Sequence, residues 1–393
     1  MISTVAVQVA IVMASLTVPV LASVIGATTG IPAYLVGYYS ALIYGFASLT
    51  SLVTPSLLRR WGGIRLHQGM LILTAAAMAS LATATPLAFA VGAIILGCAY
   101  GPMNPASTVM LARRTPHHLR ARIFSLKQTA VPAGGALAGF VSPIAAGILG
   151  WQGTVLVIAA ICLGLAALIQ PWRDELDRDS IEEAKGIGTS LSMPIRMLLT
   201  PGGFRLVGFS SFSFGAVQFS FSAVFPTVLV QIGWSLRGSG IVLSFALILG
   251  VVFRLIWGSV ADRIGTRPIL GVMGLMMSAA AFAAAFVGSD WPATAVFGLS
   301  AVFGLSAYCW AGIGIAEAVR GIAPEMIPAA SAGMIGMTFL GALTGPALFS
   351  TTTAITGNFR SAFLLLGGLG TVPALLLLRR SHARTTRGTD PDL

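Results

Sequence analysis

The sequence predicts an all-α membrane protein of twelve transmembrane helices in two pseudo-symmetric six-helix bundles. Three observations carry that prediction. Of the 393 residues, 56% are hydrophobic and only 9% are charged, whereas a soluble domain carries roughly 25% charged residues. Hydropathy resolves into twelve apolar runs, each long enough to cross a bilayer core. One long polar connection, residues 172–203, parts these runs six and six.

In the first half the runs lie near 5–26, 33–57, 66–84, 86–112, 123–147 and 151–170. The first lacks a preceding basic region and is long enough to span by itself, which argues against a cleaved signal. Runs three and four are separated only by Thr83–Pro86. In the second half the runs lie near 204–231, 238–261, 267–288, 292–318, 329–353 and 359–378. The expected domains are therefore an N-terminal bundle (1–171), a linker (172–203), a C-terminal bundle (204–378) and a tail (379–393). The linker mixes Arg173, Asp174, Glu175, Asp177, Arg178 and Asp179, then Glu182 and Glu183, as a solvated segment does.

Net charge is +11, from 23 Lys and Arg against 12 Asp and Glu. In a polytopic chain that excess is a topology signal, and no nucleic-acid partner is expected. One set of loops holds Arg59, Arg60 and Arg65, then Arg113, Arg114, Arg120, Arg122 and Lys127, then Arg263, Arg267, Arg320 and the tail arginines. The opposite set holds only Arg237, Arg360 and Asp290. The positive-inside rule places both termini in the cytoplasm, in a multi-pass protein of a bacterial inner membrane. Cys98, Cys162 and Cys309 lie far apart in apolar runs, and His67, His117, His118 and His382 lie in loops or at helix ends. Neither set has metal-ligand spacing, so no metal or other cofactor is expected.

Run eight and its loop read Arg254-Leu-Ile-Trp-Gly-Ser-Val-Ala-Asp-Arg-Ile-Gly-Thr-Arg267. Gly258 is small enough for a neighbouring helix to approach, and Gly265 permits a tight turn. Asp262 can accept bonds from Arg263, Arg267 or an adjacent helix end. Such a cluster can break and re-form when two halves of a molecule rock. Gly258, Asp262, Arg263, Gly265 and Arg267 match the G-x-x-x-D-R-x-G-x-R pattern at the cytoplasmic loops of the major facilitator superfamily, and the chain resembles a member of that superfamily. The resemblance implies the two-bundle fold, alternating access, and a gating role for these five residues.

The halves carry traces of duplication. Gly62 precedes Gly265 by 203 residues, and Pro116 precedes Pro324 by 208. The first copy of the loop pattern is degenerate, with Arg59 where the aspartate belongs. Run five reads Lys127-Gln-Thr-Ala-Val-Pro-Ala-Gly-Gly-Ala-Leu-Ala-Gly139. It is similar to the glycine- and proline-rich fifth helix of exchangers but lacks that motif's Gly-Pro pair, so its glycines are read as packing residues.

Ionisable residues inside lipid are costly and are functional candidates. Arg254 lies eight residues before Asp262, about 12 Å up the helix at 1.5 Å per residue. A guanidinium offers a planar fork of donors to a carboxylate or nitrate. Its position resembles the anion-binding arginine of nitrate/nitrite porters, and oxalate and monocarboxylate carriers also have an arginine in this helix. Run two offers only Tyr38, Tyr39 and Tyr44 where nitrate porters have a second arginine, and run eleven lacks the lysine of oxalate exchange. A single arginine fits a monovalent anion. The competing reading has Arg254 capping carbonyls or bridging to Glu317. Glu317 itself stands three residues before Arg320 on one helix face, as a structural pair or as a proton or charge relay. The superfamily's pathway-lining helices make Asn104, Gln218 and Tyr308 expected substrate contacts, with Gln128 on run five beside them. The serines of run seven, from Ser210 to Ser222, are expected mostly to bond their own backbone.

The expected function is secondary transport of a small organic or inorganic anion, monocarboxylate-like, by symport or exchange with a proton or counter-anion. The protein is expected to act as a monomer in the bilayer. Efflux of apolar or cationic drug-like compounds is the alternative, although no acidic residue stands in the first or fourth run to favour it. No nucleophile–base pair or phosphate loop points to a membrane-integral enzyme, and no catalytic residue is expected.

Overall fold

The structure, a computed structural model, describes residues 2–115, 123, 126–173, 177, 203–320, 322 and 326–385. Most of the expected linker, the Pro116 and Pro324 pair, His117, His118, Arg120, Arg122 and the last tail residues lie outside the described residues. All regular structure among the described residues is helical. The helices are α1 (Ile2–Thr29), α2 (Val36–Trp61), α3 (Gly63–Leu81), α4 (Pro86–Arg114), α5 (Ala130–Leu168) and α6 (Gly203–Gln231). There follow α7 (Leu236–Ile264), α8 (Thr266–Ala284), α9 (Ala293–Ala307), α10 (Trp310–Ala318), α11 (Ile327–Thr356) and α12 (Phe359–Thr385).

Eleven stretches among the described residues are long and apolar enough to cross a membrane. One of them, Leu126–Trp172, is 47 residues long and so covers about twice a bilayer core. α5 turns back inside it at Gly150, where φ is 71° and ψ 167°, a backbone that glycine adopts without strain. Counting its arms separately gives twelve spans. The turn is pinned by Trp151, whose buried indole donates to Thr28 Oγ1 at 2.9 Å. Runs three and four part at a turn in which Thr85 Oγ1 accepts from the Ala88 N–H at 3.2 Å and Pro86 opens α4. Run ten differs from the expectation of one continuous helix: it breaks at Tyr308 and Cys309 between α9 and α10.

The described chain forms two compact units. The first holds α1–α5 with residues 222–244, and the second holds the rest of α6 and α7 with α8–α12. Within the first, α1 packs on α5, α2 on α4, and α3 on both α4 and α5. Small residues set these distances, as dispersion rather than hydrophobicity holds helices together in lipid. A Cβ on Gly97 of α4 would come within 2.5 Å of the Ile43 carbonyl, and one on Gly134 of α5 within 2.6 Å of the Val9 carbonyl.

The second unit has an aromatic centre. Phe221 stacks on Phe303 with centroids 3.7 Å apart, and Phe303 meets Tyr308 edge-on at 5.9 Å. Ser210, Ser211 and Ser220 donate to carbonyls four residues back at 2.7–2.8 Å, as expected for run seven. Large apolar side chains stay exposed on outer helix faces, among them Ile148, Leu168, Val252 and Ile355. Such faces are stable against lipid and not against water.

Candidate functional site

In the second unit, Arg254 meets the break in run ten. A helix that stops leaves carbonyls without helical partners. The carbonyl of Tyr308 accepts from Arg254 Nη2 at 2.9 Å, the carbonyl capping that the competing reading expects. Cys309, next in the chain, directs its thiol to the Gly250 carbonyl at 3.2 Å. Gly250 stands one turn before Arg254, and a Cβ there would collide with that of Tyr308. The absent side chain lets α7 lie against the break, which puts the guanidinium at the freed carbonyl.

Two residues on, Trp310 Nε1 donates to Gln218 Oε1 at 2.9 Å, and its ring meets Phe214 edge-on. Two polar contacts thus flank the break, Arg254 with the Tyr308 carbonyl and Trp310 with Gln218. Arg254 and Gln218 are half-buried, and Tyr308 is buried. Trp310 was not singled out as a partner for Gln218 by the sequence. Its indole N–H looks like any other tryptophan's until a helix break aims it.

Glu317 is engaged elsewhere. Its Oε2 accepts from Thr266 Oγ1 at 2.6 Å and lies 3.8 Å from Arg320 Nη1. The carboxylate is 9% exposed while the arginine is 62% exposed. Glu317 therefore ties the end of α10 to the first residue of α8, and its partners are Thr266 and Arg320 rather than Arg254.

The loop pattern is laid out at the end of α7. Gly265 has φ +104° and makes the turn into α8, its N–H bonded to the Ala261 carbonyl at 2.8 Å. Asp262 and Arg263 are exposed and Arg267 is half-buried. Asp262 has no ion-pair partner among the described residues, which differs from the expected cluster with its arginines. Gly258 also differs: a Cβ there would meet nothing within 4 Å, so no helix needs the space and close approach is not its role in this structure.

The first unit holds the equivalent turn. Gly62 has φ +82°, and a Cβ there would lie 2.5 Å from Asp177. Asp177 Oδ1 accepts the Ile64 N–H at 2.6 Å, at the N-terminus of α3, and Arg173 stands 4.0 Å from Oδ2. A carboxylate at a helix N-terminus is favoured by the exposed N–H groups and the dipole. The turn that carries Arg59 in place of the pattern's aspartate thus receives its carboxylate from Asp177, more than a hundred positions on. Burial raises the Asp177 carboxyl above its ordinary range, opposed by the N–H groups of Ile64 and Arg65 and by the charges of Arg173 and Arg65. The linker's mixed charges concealed this residue in the sequence.

A polar cluster spans α1, α4 and the start of run five. Gln8 is fully buried, and its Nε2 donates to Ser107 Oγ at 2.6 Å and to the Met103 carbonyl at 3.3 Å. Lys127, read from sequence as a loop charge, is 1% exposed. Its Nζ donates to the Asn104 carbonyl at 2.9 Å and to Thr108 Oγ1 at 2.6 Å. Asn104 is half-buried with a buried Oδ1 that has no partner. Gln128, the next residue after Lys127, is exposed. His67 is buried on α3, with Nδ1 donating to the Gly63 carbonyl at 2.7 Å, a helix-start contact rather than a ligand position.

Comparison with known proteins decides the family. The profile described as Major Facilitator Superfamily matches residues 4–325. The chain belongs to the major facilitator superfamily. It is 26% identical over 309 residues to the hexuronate transporter of Bacillus subtilis (strain 168), a match covering 73% of this chain and 71% of that one. Its fold is similar to that of the nucleoside transporter NupG, with a TM-score of 0.74 at 15% identity over 96% of this chain and 98% of the other. It is also similar to that of a D-xylose-proton symporter, with a TM-score of 0.69 at 16% identity over 96% of each chain. As a member of this superfamily the protein is a multi-pass membrane transporter with a small-molecule substrate, and not an enzyme.

Proposed function

We propose that this transporter carries a small organic anion of the acid-sugar or monocarboxylate class by alternating access. The observation that carries the reading is Arg254: a guanidinium held within an apolar helix, at a helix break, by a backbone carbonyl. A guanidinium offers a planar fork of donors that matches a carboxylate. The similarity to a hexuronate transporter supports the same class of cargo. In this reading Tyr308 and Gln218, near Arg254 in the second unit, are proposed cargo contacts, and Asn104 and Gln128 are proposed as further ones.

Gly258, Asp262, Arg263, Gly265 and Arg267 serve the cytoplasmic gate, and an exposed Asp262 is available to pair in another state of the cycle. Glu317 and Arg320 form a charge relay that is closed by Thr266 in the state described. Both termini lie in the cytoplasm, on either side of two six-helix halves joined by 172–203, in a bacterial inner membrane, with a proton or counter-anion as the coupled species. The test is uptake by proteoliposomes of labelled galacturonate, lactate, succinate, nitrate and a cationic dye. Saturable uptake of one anion supports the reading, and transport of the dye alone sinks it in favour of efflux.

A further inference from the structure

We infer that Lys127, with the side-chain amides of Asn104 and Gln8, forms a second anion-recognition locus within the first unit, for a carboxylate that also bears hydroxyl groups. The inference rests on the anion reading above and extends it to a locus of its own.

The argument begins with charge. Residues 1–173 contain no aspartate or glutamate. No carboxylate of the first six runs exists to neutralise a buried ammonium there. The described acidic residue that packs into this unit, Asp177, is taken by the Ile64 N–H and Arg173. Lys127 nevertheless lies 1% exposed, with two neutral oxygens as its bonding partners. An ammonium has three N–H donors, and two are used. A buried cation with no counter-charge among the described residues is costly in an apolar setting and is a marker of function rather than of packing.

The surroundings add the second half of the chemistry. Gln8 has its amide nitrogen committed to Met103 and Ser107, which fixes its Oε1 as an acceptor, and that buried atom has no partner. Asn104 Oδ1 is likewise buried and without a partner. An orphaned buried acceptor is costly while it stays unpaired. A ligand that brings one negative charge and hydroxyl donors offers a partner to Lys127 and to the two amide oxygens, with the buried, unpartnered His67 Nε2 in the same unit. A hydroxylated carboxylate does this, whereas a halide leaves the acceptors unmet and a neutral sugar leaves the charge. Thr108, which holds the ammonium from the other side, is exposed, so the charge lies next to the surface of the unit rather than at its centre.

The experiment uses the purified full-length protein in detergent and reads ligand-induced thermal stabilisation by galacturonate, with galactose as the neutral control. Lys127→Gln keeps amide donors for the Asn104 carbonyl and Thr108 but removes the charge, and Lys127→Arg keeps the charge. We expect galacturonate and not galactose to stabilise the wild type, Lys127→Arg to retain most of the affinity, and Lys127→Gln to lose about tenfold or more. Thr108→Asp supplies an internal counter-ion. It is expected to raise the unfolding midpoint without ligand and to weaken galacturonate binding, an outcome that does not depend on a Lys127 variant folding. Unchanged galacturonate affinity in both Lys127→Gln and Thr108→Asp overturns the inference while leaving the anion reading intact. Absence of any response to acids in the wild type, with uptake of no anion, overturns both.

Discussion

Arg254 is a charge inside an apolar helix whose direction is set by contact. Its Nη2 donates to the Tyr308 carbonyl at 2.9 Å. Lysine presents a point charge instead of a planar fork, so Arg254→Lys is expected to lose most uptake in proteoliposomes while inserting normally into membranes. Full retention of uptake would show that charge alone suffices and that the fork is irrelevant. Asp177 gives a pH signature. Its folded-state carboxyl titrates above the ordinary value of 3.8, so between the two values the folded protein binds more protons than the unfolded chain. Because burial outweighs its contacts, the group's net contribution to stability is fullest below the ordinary value and declines as pH rises through the raised one. Asp177→Asn should remove that decline in unfolding midpoint measured across acidic pH, and an unaltered profile would place the titration in another group.

At the scale of elements, glycine positions separate geometry from pattern. Gly250 is required by contact, since a Cβ would strike Tyr308 at the break between α9 and α10. Gly250→Ala is expected to cost about 1–3 kcal/mol in chemical denaturation and to disturb the Arg254 bond. Gly258 has no neighbour within 4 Å of a built Cβ, so Gly258→Ala is expected to gain about 0.5–1 kcal/mol from helix propensity. A loss of stability there would contradict the open space around it. The apolar runs themselves were readable because length and hydropathy are local properties. The break at Tyr308 was not, because the run's one proline, Pro292, stands at its start and the carbonyl's partner lies 54 positions away. The boundary between runs three and four was legible from Pro86 alone, since proline fits the first turn of a helix and not its interior.

Across the whole molecule, charge sorts into three uses. Basic loops carry the topology signal from which orientation is proposed, paired charges such as Glu317 with Arg320 tie helix ends, and Arg254 and Lys127 stand inside otherwise apolar units. Sequence reading found the first use and Arg254 of the third, since an arginine eight residues inside a run is conspicuous. It missed Lys127, which begins a run and looks like a topology charge until burial is known, and Asp177, whose partner lies 113 positions back in the chain. The fold class needed only composition and periodicity, whereas the candidate sites depend on contacts between distant helices. The most direct test of the account compares wild type with Arg254→Ala for saturable galacturonate uptake in proteoliposomes, with insertion of both checked. The account predicts uptake by the wild type and its loss in a variant that still inserts. Uptake by Arg254→Ala at the wild-type rate would contradict the assignment of Arg254 as the anion's anchor.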